Sequence, residues 1–343
     1  MLEPTQRIAL FSEGAMGSTD AKMTEGIIRY GTNPVVAVID SMTAGKTVGQ
    51  VCHMDSSIPI VASFQEALDL GAQVLILGTA PAGGRVPPDW MKVLETAADA
   101  GLSLVNGLHD RLNDVLGNRL KPGQWIWDIR NPLDDPPDIA NARAASLNNT
   151  RVLMIGTDMA IGKMTAGLEI YKWLRDNGSN AAFIPTGQIG VSIMGTGIPL
   201  DALRVDHACG AVEREVMKAA DHEIIIVEGQ GSLLNPGSSA TLPLMRGSCP
   251  NQMILCHRAG MDYVDVSTEV KIPPLADVIR LNELVASAAG ALTEAKVVAI
   301  ALNTRGLDDD TARAEIASIE QETDLPVQDV VRFDAGKIAS RLL

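Results

Sequence analysis

Short apolar runs of four or five residues alternate along most of this chain with longer stretches whose apolar positions recur at three- and four-residue spacing. In the first half, Arg7 to Phe11, Val35 to Ile39, Ile58 to Val61, Val74 to Leu77 and Ser103 to Val105 have the length and composition of strands buried on both faces. Ser63 to Leu70 and Asp89 to Ala100 read as helices between them. In the second half the predicted strands are Val152 to Ile155, Ala181 to Ile184, Ile224 to Val227, Met253 to Cys256 and Val297 to Leu302, with a last one somewhere in Asp324 to Phe333. Helices are predicted over Met164 to Asp176, near Ala208 to Ala220, and over Leu275 to Ala291. Strands alternating with helices predict parallel β-α-β units and an α/β fold.

The proline-rich, acidic stretch Asn131 to Asp138 interrupts both periodicities and reads as a linker. A boundary between about 131 and 150 gives two domains, 1–140 and 141–343. The second opens on the most informative segment of the chain, Arg151 to Thr165. There a strand ends at Gly156, a loop follows, and Gly162-Lys163-Met164-Thr165 leads into a helix whose Met164, Leu168, Tyr171 and Leu174 share one face up to Gly178. Backbone N–H groups, a helix N-terminus and a mobile lysine make a phosphate site. The spacing is G-x5-G-K-x-T, one residue longer before the second glycine and one longer before the threonine than the standard pattern. Gly156, Thr157, Gly162, Lys163, Met164 and Thr165 are therefore the expected cofactor-binding residues. The expected fold is a Rossmann-like parallel-sheet domain followed by a P-loop NTPase-like α/β domain.

Other strand ends supply candidate chemistry. Glu228 closes the apolar run Ile224 to Val227 and is placed to bind Mg²⁺ or act as a base. Thr186 and Gln188 lie in a glycine-containing turn after Ile184, and His257 follows Met253 to Cys256. In the first domain, Ala44-Gly45-Lys46-Thr47 imitates a phosphate loop, but Asp40 stands where its first glycine would be. Gly83-Gly84-Arg85, His109 and Arg130 are better ligand candidates there, because an arginine fork beside glycines can grip a carboxylate. Asp158 inside an anion-binding loop is repulsive to phosphate, and the expected resolution is that it pairs with a substrate amine.

The net charge of −14 argues against nucleic acid or an anionic membrane as partner and favours small-molecule substrates. Four cysteines without C-x-x-C spacing suit free thiols in a reducing cytoplasm. No apolar run reaches the roughly 20 residues of a membrane span. A cytoplasmic homo-oligomer with no metal site is expected.

Gly156-Thr157-Asp158 with Gly162-Lys163, and Val227-Glu228-Gly229, resemble the G-T-D-x-x-x-G-K-T loop and V-E-G strand end of dethiobiotin synthetases. Met164 interrupting the lysine-threonine pair, Thr186 to Gly190, Glu228 to Leu233 and Pro81 to Gly84 resemble more closely a two-domain phosphate-loop family long of unknown function, over essentially the whole chain. That family includes D-glutamate N-acetyltransferases, which use acetyl-CoA and work beside an enolase-type N-acetyl-amino-acid racemase. The resemblance implies transfer of an acetyl group to the amine of D-glutamate or a related D-amino acid. In that reading the loop and Lys163 clamp the CoA phosphates, and Glu228 or His257 takes the ammonium proton. Arg85 or Arg130 would meet the substrate carboxylates, and Mg²⁺ is the less favoured accessory. The alternatives are an ATP-dependent ligase or carboxylase of dethiobiotin-synthetase type, with Thr165 and Glu228 on Mg²⁺, and a nucleotide- or metabolite-binding regulator.

Overall fold

The computed structural model describes every residue except Met1, Ala80, Ala82 and residues 132–136, and leaves the side chain of Thr19 undescribed. Most of the predicted linker, residues 132–136, therefore lies outside the described residues.

The first compact unit comprises the chain up to residue 132 together with Gln188–Ala202. Its sheet contains β1 (Ile8–Phe11), β2 (Val35–Ile39), β3 (Ile60–Val61), β4 (Val74–Leu77), β5 (Ser103–Asn106) and β6 (Ile126–Asp128). They are all parallel, in the order β3-β2-β1-β4-β5-β6. This is the strand order of a dinucleotide-binding fold, with its reversal between β1 and β4. The strands carry side chains buried on both faces, and Leu75, Leu77, Leu104 and Leu94 form one core. Each such side chain contributes about 1.5–3 kcal/mol by leaving water. Phe11 meets Trp90 of the helix Pro88–Ala100 edge to face, with ring centroids 5.0 Å apart.

The second unit holds residues 133–187 and 203–343. Its sheet is built from β7 (Thr150–Gly156), β8 (Ala181–Ile184), β9 (Ile224–Val227) and β10 (Gln252–Arg258) and, after the separate antiparallel hairpin of β11 (Tyr263–Val264) and β12 (Ser267–Lys271), from β13 (Lys296–Asn303) and β14 (Val327–Gln328). The order is β14-β13-β10-β7-β9-β8, again parallel throughout. β7 is central, so the loop that follows it opens between the ends of β9 and β10.

Three differences from the sequence reading have physical causes. The segment Gln188–Ala202, expected in the second domain, packs with the first. Its helix Gln188–Met194 seats Ile193 on helix Lys22–Tyr30 at Gly26, where a Cβ would stand 2.6 Å from Ile193 Cδ1. The helix predicted to Ala291 ends at Ala286, because Ala288, Ala289 and Gly290 all take positive φ. The last strand is only Val327–Gln328, and Asp329 after it turns inward to accept Thr304 N–H and O–H.

Candidate functional site

The phosphate-loop geometry follows from two glycines. Gly156 ends β7 and leaves room for the stem of Lys163 to fold back over it; a Cβ there would lie 3.1 Å from Lys163 Cδ and 3.2 Å from Nζ. Gly162 takes φ +113, which other residues rarely adopt, and so turns the loop into the helix Lys163–Asp176. Lys163 Nζ donates to the Asp158 carbonyl at 2.6 Å and keeps two further donors. Burial lowers its pKa, opposed by Cys256, Asp158 and Glu228. Met164 and Thr165 lie half-buried in the first turn.

Asp158, expected to pair with a substrate amine, is fully buried and already has partners of its own. Its Oδ1 accepts Met159 N–H at 2.7 Å and Asn235 Nδ2 at 2.6 Å, and its Oδ2 accepts Asp265 N–H at 2.6 Å. Burial favours the neutral form, but these donors outweigh it and hold the carboxyl below its usual range. The carboxylate expected to repel phosphate is thus compensated by backbone and amide N–H groups. It ties the phosphate loop to the segment around Asn235 and to the turn of the β11–β12 hairpin.

Glu228 follows β9 with its side chain 2% exposed. Desolvation pushes its carboxyl up to about 7, against the N–H groups of Thr186 and Gly187, at 2.8 and 3.2 Å from Oε2, and Gln230 Nε2, at 3.1 Å from Oε1. Oε1 keeps acceptor capacity. A carboxyl that titrates near neutrality can accept and return a proton during turnover. Thr186, expected to bind substrate, donates through its hydroxyl to Glu228 O at 2.8 Å as well, so both of its donors position Glu228 instead. Gly229 has no alternative, since a Cβ would stand 1.7 Å from Met154 O and 3.0 Å from Lys163 Cδ. The Glu228 strand end therefore lies against the lysine of the loop.

Thr157 Oγ1 lies 2.9 Å from His257 Nδ1, joining the ends of β7 and β10. Desolvation, reinforced by Arg258, pushes His257 down to about 4, which leaves it neutral and a weaker base than Glu228 near pH 7. Cys256 beside it is buried and pushed up to about 12 by desolvation, so its thiol is no nucleophile.

In the first unit, Arg130 Nη1 lies 3.0 Å from His109 Nε2, and Nη2 pairs with Asp201 Oδ2 at 2.9 Å. Gly84, at φ +63, accepts His109 N–H at 2.8 Å. Gln188 packs over Gly107, two residues before His109. Arg85, expected to grip a carboxylate, instead pairs with Asp110, whose other oxygen takes Val86 N–H. Its side chain is 74% exposed, and the pair fastens one loop to another. Lys46 of the imitation loop is exposed, and Thr47 caps the short helix Val48–Cys52.

Sequence reasoning missed Gln230, Asn235, Asp265 and Asp201. Gln230 had a local signal, two residues beyond Glu228; the others come into place only through long-range packing. Among the described residues no cluster of metal-ligating side chains occurs, and no helix is long and apolar enough to cross a membrane.

Two family models cover most of the chain. The Rossmann-like domain of unknown function DUF1611_N matches residues 41–132, and the P-loop domain of unknown function DUF1611_C matches residues 138–339. A D-glutamate N-acetyltransferase of Tritonibacter scottomollicae is 31% identical over 284 residues, 82% of this chain and 84% of its own length. One from a Pseudoalteromonas species is 29% identical over the same share of each chain. The crystal structure of a DUF1611 family protein from Anabaena variabilis superposes with TM-score 0.92 and 46% identity, covering 98% of this chain and 99% of that one.

Proposed function

The chain belongs to the two-domain DUF1611 family, and from that premise and the chemistry of its second unit we propose an N-acetyltransferase that moves an acetyl group from acetyl-CoA to the amine of D-glutamate or a related D-amino acid. The observation that carries the reading is the buried Glu228 carboxyl, poised at about 7 against the lysine of the phosphate loop.

Acetyl-CoA is already activated, so the protein has to bring in the amine deprotonated and stabilise the tetrahedral oxyanion. Glu228 Oε1 takes a proton from the acceptor ammonium. The freed nitrogen attacks the thioester carbonyl and the C–N bond forms; the nitrogen then loses its second proton to solvent, and the C–S bond breaks as Glu228 returns its own proton to the departing sulfur, leaving the amide, the free CoA thiol and one released proton. The loop from Thr157 to Gly162 and the two remaining N–H donors of Lys163 hold the CoA phosphates. Thr186, Gly187 and Gln230 fix the carboxyl of Glu228. His257, neutral near pH 7, orients Thr157 at the base of the loop.

The test incubates purified protein with a panel of D- and L-amino acids and either acetyl-CoA or MgATP, following free thiol and ADP in parallel. Thiol release that requires a D-amino acid supports the proposal. ADP release without thiol would replace it with an ATP-dependent ligase or carboxylase, and tight binding without either product with a metabolite-binding regulator.

A further inference from the structure

The carboxyl ends of β4, β5 and β6 are neighbours in the first sheet, and the loops leaving them bring together Gly84, His109 and Arg130. The arrangement is tight: a Cβ on Gly84 would stand 2.6 Å from His109 Cδ2 and 3.6 Å from Arg130 Nη1. A guanidinium only donates, so His109 Nε2 accepts from Arg130 Nη1. In this contact His109 orients the arginine without competing for an anion.

The opposite edge of the guanidinium carries Nε–H and Nη2. Asp201, on the short turn Leu200–Ala202 of the same unit, takes only Nη2, at 2.9 Å. Among the described residues the Nε–H is buried without a partner. A planar fork built for two parallel hydrogen bonds thus has one arm in an ion pair and leaves a buried donor unsatisfied beside it. Arg130 is 14% exposed and held from behind by His109, whereas Asp201 is 45% exposed and free to return to water at little cost.

We propose that Arg130 is a carboxylate-binding residue and that Asp201 is its resting counter-ion, displaced when a small-molecule carboxylate engages Nε and Nη2 together. The exchange conserves charge, one carboxylate for another, and gains the hydrogen bond that Nε–H lacks. The ligand class is a small mono- or dicarboxylate.

The experiment titrates the full chain calorimetrically with D-glutamate and with glutarate, a dicarboxylate lacking the amine, in the absence of acetyl-CoA, for the wild type, Asp201→Asn and Arg130→Lys. Removing the competitor in Asp201→Asn should tighten glutarate about fivefold. Arg130→Lys, which keeps the charge but loses the fork, should weaken it about tenfold or more while melting within a few degrees of wild type. A merely structural ion pair predicts no gain in Asp201→Asn, so unchanged or weaker binding there overturns the proposal. So does a folded Arg130→Lys that binds as wild type, or a wild type that binds neither ligand at millimolar concentration. Arg130-dependent glutarate binding without thiol release would leave this site standing and defeat the acetyl-transfer reading. Thiol release with binding indifferent to both substitutions would do the reverse.

Discussion

In both sheets a glycine at the end of a strand makes room for a side chain from a helix, and the two side chains differ in charge. In the first unit Gly78, just past β4, sits under Thr24, and a Cβ there would stand 2.1 Å from Thr24 Oγ1 and 2.8 Å from Ser12 Oγ. Thr24 donates to the Gly78 carbonyl at 3.0 Å, and Ser12 donates to Thr24 at 2.5 Å. This closed chain of neutral hydroxyls fills the β1–β4 switch point where dinucleotides bind in such sheets. Asp40, at the end of β2, is likewise engaged, accepting the N–H groups of Gly14 and Met42 and the hydroxyl of Thr43. In the second unit Gly156 admits Lys163, a cation with two donors to give. One glycine seals its strand end and the other equips it to hold an anion, so a glycine at a strand end announces close approach and not what approaches.

The largest effect is expected from Glu228→Gln, which keeps acceptors for Thr186 and Gly187 but cannot take a proton: turnover should fall by about 10²- to 10⁴-fold with little change in acetyl-CoA affinity, read by steady-state kinetics. Gly229→Ala comes next. Its Cβ would overlap Met154 O, and the forced shift of β7 against β9 should cost about 3 kcal/mol or more, measured by urea unfolding. Thr24→Val tests the sealed end. It leaves the Ser12 hydroxyl without its acceptor and should cost about 1–3 kcal/mol while leaving acetyl transfer unchanged; a loss of turnover at wild-type stability would mean that the first switch point is functional after all.

The smallest effect concerns pH. His257 titrates lower in the folded protein than in the unfolded chain, so its contribution to stability is present above about pH 6.5 and lost as pH falls through about 4. Thermal melts of His257→Gln should be flatter than wild type over that window. Parallel curves would show that the imidazole titrates in the fold as it does in the unfolded chain.

The β-α alternation was legible because buried parallel strands are apolar on both faces, and β2, β4, β8 and β9 fall where their apolar runs stand. The phosphate loop and the position of Glu228 at a strand end were legible because both lie next to such runs. Helix Gln188–Met194 was hidden behind Pro185 and two glycines, and nothing local marks the long-range packing at Gly26 that draws it into the first unit. The role of Asp158 was unreadable for the same reason: two of its donors come from positions 235 and 265. Arg85 and Arg130 look alike in sequence. Only burial and partners separate an exposed loop fastener from a guanidinium held by a histidine.

The pH dependence of kcat/KM for acetyl transfer to D-glutamate decides whether Glu228 takes the proton. An ascending limb with its midpoint near 7, from ionisation of Glu228, should disappear in Glu228→Gln. A limb that keeps its position and most of its amplitude in Glu228→Gln would show that another group takes the proton.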